Sequence, residues 1–195
     1  MSKEAHIFGY GSLISAESRA RTGYSGEAIP YIVRGVQREW NLVAPQYELT
    51  AVGAVFKPDA ICNGVIVPVA ENELPKFDAR EEGYHRIRLD KSSIVSNKPT
   101  VIGGDIWVYV VDQPGVPSVE NPIVQSYVDV ILSACFDFDE EFAKTFIGTT
   151  QGWYNPWIND RESPRYPRAM GNTPLASKID NLLKEPIPTE YSLRR

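Results

Sequence analysis

Few side chains in this sequence are suited to chemistry. Among 195 residues there are two histidines, His6 and His85, and two cysteines, Cys62 and Cys135. Neither pair has metal-ligand spacing, so a His-rich metal site is not expected and the cysteines read as buried, reduced thiols. Acid–base work therefore falls to a carboxylate. One stretch sets carboxylates beside special backbone: Lys76–Phe77–Asp78–Ala79–Arg80–Glu81–Glu82–Gly83–Tyr84–His85–Arg86. A short helix that ends in Glu-Glu-Gly and runs straight into a strand can aim one carboxylate at the core. Adjacent helical residues point about 100° apart, so Glu81 and Glu82 cannot both face inward. A helix C-terminus disfavours negative charge, and with burial it would raise that glutamate's pKa toward the range a general base needs. On spacing alone, the commoner outcome is a solvated helix end with surface ion pairs.

The second candidate is His6–Ile7–Phe8–Gly9–Tyr10–Gly11–Ser12–Leu13–Ile14. Apolar residues lead in, as in a buried strand, and Ser15 to Arg21 permits a helix leading out. Glycine allows a sharp turn with positive φ and leaves no Cβ in a ligand's way. N–H groups of such a turn, entering a helix, converge on an anion or a developing oxyanion. A dinucleotide fingerprint fails because Ile14 stands where its third glycine belongs, and a P-loop fails because no lysine follows Gly11. A tight turn holding nothing is the plain alternative. Ser12 is a possible nucleophile, but His6, six residues away, reads as a strand residue satisfied by a backbone carbonyl.

The elements that must position these residues follow from periodicity. Strands are expected at 29–36 and 39–43 with a kink at Gly35, at 51–56 closed by a turn at Lys57–Pro58–Asp59, and at 62–69. A short helix over 71–82 stops at Gly83. Strands follow at 84–89 and 105–111, the latter central. Asn121–Pro122 reads as an N-cap and first helical residue for a helix reaching about Cys135. Asp137 or Asp139 caps a second helix and Thr173–Pro174 opens a third. Strands first and helices later predict an α+β domain with a small mixed, barrel-like sheet packed by helices. Between the last helices, residues 153–168 hold Trp153, Trp157, Arg161, Arg165 and Arg168. This is either a lid tying the C-terminus to the core or a segment from which Arg165 or Arg168 reaches a substrate carboxylate.

The totals are those of a single domain with a sizeable core: 43% hydrophobic and 23% charged residues, net charge −5. That sign argues against a general nucleic-acid or membrane-surface binder. The start, Met1 to Ala5, lacks a leader pattern and no stretch reaches the ~20 apolar residues of a membrane span, so a cytoplasmic chain is expected.

Taken together, Phe8–Gly9–Tyr10–Gly11–Ser12–Leu13 and, some seventy residues later, Asp78–Ala79–Arg80–Glu81 with Gly83–Tyr84 resemble the γ-glutamylcyclotransferase family, most closely its glutathione-degrading ChaC-type branch. The resemblance covers roughly residues 5 to 147. It implies a γ-glutamylcyclotransferase-like domain over 1–150, with 151–195 forming an aromatic, Arg- and Pro-rich loop and a C-terminal helix packed on it. It also implies no cofactor and a small γ-glutamyl substrate, and leaves the oligomeric state open. By position, Tyr10, Gly11, Ser12 and Leu13 match the substrate loop, Glu81 the catalytic glutamate, and Tyr127 a pocket-facing tyrosine. Glu82–Gly83–Tyr84 departs from the branch's two glycines before the tyrosine, and the 153–168 stretch lies outside its core; both bear on the leaving group. The implied reaction is attack of the substrate's α-amine on its own γ-carbonyl, a cyclising acyl transfer that releases 5-oxoproline with Glu81 as general acid and base. The rival readings are a non-catalytic sensor of γ-glutamyl or amino-acid-like ligands on the same fold, and acyl transfer through Ser12.

Overall fold

Alternation along the strands assigns neighbouring residues to opposite faces, and here both faces are buried. In the computed structural model, which describes residues 4–95, 102–169 and 174–195, β1 (Glu4–Gly9) sends Ala5 and Ile7 to one hydrophobic cluster and Phe8 to another. In β3 (Leu49–Ala70), Val65, Val67 and Val69 face the first cluster while Ile66 faces the second. In β6 (Ile106–Val111), Ile106, Val108 and Val110 line the second. The first cluster is covered by helices. The second is enclosed by the sheet itself, which curls into a half-barrel.

The sheet has 7 strands. Its order runs from β4 (Tyr84–Leu89) through β6, β1 and β3 to β2 (Ile29–Ala44) and β5 (Ile94–Val95), with β8 (Thr150–Gln151) also paired to β2. β1 runs parallel to β6 and antiparallel to β3, so the sheet is mixed and β1 is interior. A parallel pair, β7 (Ile123–Val124) with β9 (Trp157–Ile158), forms a second small sheet. The helices are α1 (Ala16–Ala20), α2 (Leu74–Arg80), α3 (Gln125–Phe136), α4 (Glu140–Thr149), α5 (Ala176–Lys184) and α6 (Pro188–Leu193). Among the described residues no helix is long and apolar enough to cross a membrane. The C-terminal segment shares the main core through Trp153, Trp157, Tyr166, Ile179, Leu182 and Leu183.

The α+β class, the kink at Gly35 and the Asp139 cap appear as read. Gly35 has φ +79 beside a register shift between Arg34 and Val36, and the Asp139 side chain accepts from the Phe142 N–H. Cys62 and Cys135 are free and buried. Three readings are corrected. Lys57–Pro58–Asp59 does not separate two strands: it is an unpaired excursion within β3, where the register jumps from Val36–Phe56 to Arg34–Ile61. Asn121–Pro122 does not start a helix, because Thr50 takes both carbonyls, its N–H bonding Pro122 and its hydroxyl Asn121, which keeps that segment extended into β7. The helix expected over 71–82 is a 3-10 turn, Glu71–Glu73, followed by α2. Residues 1–3, part of the start read as leaderless, and Thr173, read as opening the third helix, lie outside the described residues.

Candidate active site

The glycine loop works by close approach. Gly9 and Gly11 do not have positive φ; Gly11 sits at φ −132. A Cβ on Gly11 would lie 2.8 Å from Val52 Cγ2 and 3.2 Å from the Tyr127 hydroxyl. A Cβ on Gly9 would lie 2.8 Å from Leu13 Cβ. The expectation of a positive-φ turn is thus corrected: these glycines let β1 end tightly against β3 and α3. Ser12–Leu13–Ile14 then make one 3-10 turn closed by Ile14 N–H to Gly11 C=O, and Ser15 caps α1. Buried Arg19 locks the turn by donating to the carbonyls of Leu13 and Ile14 at 2.7 and 2.8 Å.

The second motif arrives from α2. Leu74 and Phe77, three apart, bury that helix's inner face, and Gly83 at φ +84 turns the chain into β4. Within the motif each polar residue has its own direction. Asp78 accepts from the Tyr109 hydroxyl at 2.8 Å and pairs with Arg86 at 3.2 Å, facing β6 and β4. Arg80 donates to Ser18 C=O, Ser18 Oγ and Thr22 Oγ1 around α1, and to Ser12 Oγ at 3.0 Å. Glu81, at the helix C-cap, is left to the cavity, its Oε1 3.0 Å from Arg80 Nε. Its side chain is 13% exposed, whereas Glu82 is exposed.

A chamber of about 30 Å³ lies between the two motifs, walled by Tyr10, Gly11, Ser12, Leu13, Glu81 and Tyr127 together with Phe8, Val52, Tyr84 and Tyr109. A wider vestibule of about 130 Å³ shares Ser12, Glu81, Tyr84 and Tyr127 and opens past Tyr47, Tyr166 and Arg168. A larger open trough, about 830 Å³, lies by α1 and includes neither Glu81 nor Gly11. The structure thus brings all six sequence-predicted residues to one chamber. Burial raises the Glu81 carboxyl pKa, opposed by the positive charges of Arg80 and Arg168. Burial, with Tyr166 and Glu81 nearby, also holds Tyr127 protonated. The Tyr10 hydroxyl donates to Tyr109 C=O at 2.6 Å, so Tyr10 contributes its ring to the wall. Ser12 Oγ faces Arg80 and Tyr127. His6 lies toward the other end of β1, paired with Pro68 and Ile106, and its charge environment is Glu4 and Lys91.

In the sequence Arg80 and Tyr84 stand only as letters of the motif, and no spacing marks Val52 or Tyr109 as chamber residues. Tyr84 donates to Val52 C=O at 2.6 Å, fixing the turn after Glu81 against β3. Polar residues inside strands, such as Tyr109 in the run Ile106–Val111, carry no spacing signal that would reveal them. Of the two arginines considered for a substrate carboxylate, only Arg168 reaches the vestibule. Arg165 donates to Glu48 C=O at 2.9 Å and pairs with its carboxylate at 3.7 Å.

Comparison with known proteins gives a consistent answer. Residues 7–127 match the family model described as Gamma-glutamyl cyclotransferase, AIG2-like. No curated protein sequence matches the chain. A solved structure named Gamma-glutamyl cyclotransferase superposes with TM-score 0.59 at 12% identity, covering 74% of this chain and 86% of that one. An uncharacterized protein, loc79017, from Homo sapiens gives TM-score 0.59 at 14% identity with the same coverages, 74% and 86%. YkqA from Bacillus subtilis gives 0.58 at 15%, covering 72% of this chain and 52% of that one. At such identities these likenesses are of fold.

Proposed function

Since the chain belongs to the gamma-glutamyl cyclotransferase, AIG2-like family, we propose that it is a γ-glutamylcyclotransferase that releases 5-oxoproline, with Glu81 as its acid–base group. The observation that carries this reading is a nearly buried glutamate on the wall of the chamber that the glycine loop also encloses, while its motif partner Asp78 is anchored to Tyr109 and Arg80 ties the glutamate to the glycine loop and α1.

The chemistry follows from the substrate. A γ-glutamyl group carries its own nucleophile, an α-amine able to close a five-membered ring on the γ-carbonyl, and holding it bent is worth several kcal/mol. That amine, with a reference pKa near ~8, is mostly protonated at neutral pH. The Glu81 carboxylate takes the proton as the new C–N bond forms and returns one to the leaving nitrogen as the old C–N bond breaks. The 3-10 turn at Ser12–Ile14 leaves its first N–H groups without partners inside the turn, which suits the substrate carboxylate or the tetrahedral oxyanion. A chamber of about 30 Å³ has room for a group the size of a water molecule. One oxygen of the γ-glutamyl end therefore fits inward, and the rest of the substrate, with its leaving amine, lies in the vestibule of about 130 Å³.

The test is release of 5-oxoproline across a panel of γ-glutamyl peptides, amino acids and amines, run with the Glu81→Gln variant as control. Turnover lost in that variant supports the reading. Binding without turnover by the unaltered protein would instead make the chain a sensor on this fold.

A further inference from the structure

We propose that Arg168, which lies beyond the stretch matched by the family model, is a specificity residue that selects γ-glutamyl substrates whose leaving amine carries a carboxylate. This rests on the cyclotransferase reading for its direction, since that reading puts the leaving group in the vestibule. The support is the sorting of the arginines around the cavity. Arg80 is 4% exposed and committed to Ser12, Ser18, Thr22 and Glu81. Arg165 is committed to Glu48. Arg161 is bound to Asp129 and Asp180. Arg168 lines the vestibule; among the described residues it makes no hydrogen bond or ion pair at contact distance, and its charge acts on Glu81.

The local surroundings hold it there. Asp160, buried, accepts from the Arg165 N–H at 2.8 Å, and Tyr166 packs its ring on Tyr127 with centroids 4.5 Å apart. Pro167, between Tyr166 and Arg168 in the chain, lies on the vestibule wall. The guanidinium is thus presented to the vestibule by a stiff segment, within charge range of Glu81. Glu82 also lines the vestibule and repels a carboxylate placed beside it, so the favourable position is the one nearer Arg168. A guanidinium pairs with a carboxylate bidentately and gains nothing comparable from a neutral carboxamide. A charge-assisted hydrogen bond at a half-buried site gives about tenfold in discrimination.

The experiment compares γ-glutamylalanine with γ-glutamylalaninamide, which differ only in that carboxylate. For the unaltered protein kcat/KM is expected to favour the acid by about tenfold, mostly through KM. Arg168→Ala brings the ratio close to one, Arg168→Lys keeps part of it, and Arg165→Ala, outside the vestibule, keeps all of it. The same ratio is read as Kd for the two uncleaved compounds in the Glu81→Gln background, so it does not depend on turnover. If neither compound is cleaved but the acid binds more tightly and Arg168→Ala abolishes the difference, the cyclotransferase reading fails and the arginine assignment stands. A ratio near one in the unaltered protein, a preference that survives Arg168→Ala, or binding of neither compound overturns it.

Discussion

Replacing Glu81 by glutamine separates a catalytic role from a structural one, because the structure predicts opposite outcomes for rate and stability. Glutamine keeps the shape and can still accept from Arg80 Nε, now 3.0 Å from Oε1. It cannot carry a proton from the α-amine to the leaving nitrogen. Loss of a positioned general base costs about 10²–10⁴ in kcat, equivalent to about 3–5.5 kcal/mol of barrier. For stability the sign is different. Burial raises the folded-state pKa of Glu81, so between the ordinary glutamate value and that raised value the folded state binds more protons than the unfolded one. Its contribution to stability therefore falls as pH rises through that window. At neutral pH the ionised side chain is a burden, partly relieved by Arg80 and Arg168. Arg80 keeps its bonds to Ser12, Ser18 and Thr22 when the partner is neutral. The net change on Glu81→Gln is expected to lie within about 1 kcal/mol of zero. Urea unfolding at pH 7 beside a 5-oxoproline assay reads both quantities. A variant that unfolds several kcal/mol more easily, or one that retains a tenth or more of the rate, refutes the assignment; activity lost in Glu82→Gln but kept in Glu81→Gln would show that the carboxylate is the neighbour.

Three further outcomes follow from the same geometry. The kcat/KM profile should rise from acid toward neutral pH with a midpoint above the ordinary glutamate value of about 4.3, because burial disfavours the ionised Glu81; a flat profile from pH 4 to 8 removes it as the titrating base. Ser12→Ala should slow turnover without abolishing it, since Ser12 Oγ meets Arg80 and no histidine lies on the chamber wall; mass spectrometry detecting an acyl-serine would reverse that view. Arg38→Met should cost about 3 kcal/mol or more in urea unfolding, because its fully buried guanidinium donates to Tyr10 C=O, Asn63 C=O and Oδ1, Phe146 C=O, Thr149 and Thr150, and these buried acceptors are left unsatisfied; a loss below 1 kcal/mol would mean that those acceptors find other partners.

What was legible in the sequence was what local backbone and period encode. Gly35, Gly83 and the Asp139 cap announce bends and a helix start by residue type. Alternation assigned the strands, and motif order located Glu81 and the loop. Long-range partners were not legible. Asn121–Pro122 looks like a helix start until Thr50, seventy residues earlier, takes both carbonyls. The glycines of the loop suggest positive φ until Val52 and Tyr127 are seen to press on Gly11. Arg38 reads as a polar residue in a strand, and only the packing of α4 and β3 around it shows it buried with no carboxylate partner among the described residues. In each case the deciding contact spans a large sequence separation, where residue type and period carry no information.

The Asp-x-Arg-Glu motif also explains why residues so close in sequence hold a site assembled from distant parts. Successive helical residues radiate at about 100°, so Asp78, Arg80 and Glu81 leave α2 in different directions. Asp78 reaches the sheet through Tyr109 and Arg86. Arg80 reaches the glycine loop and α1. The helix end is thereby pinned on two sides before Glu81 is placed, and its position depends little on its own contacts. The opposite wall is pinned from the C-terminal segment: Asp160 accepts from the Ser126 N–H and hydroxyl at 2.7 and 2.6 Å, and Tyr166 packs on Tyr127. On the proposed reading, neighbours fix the geometry of Glu81 while burial raises its affinity for a proton, which is what taking one from an amine requires.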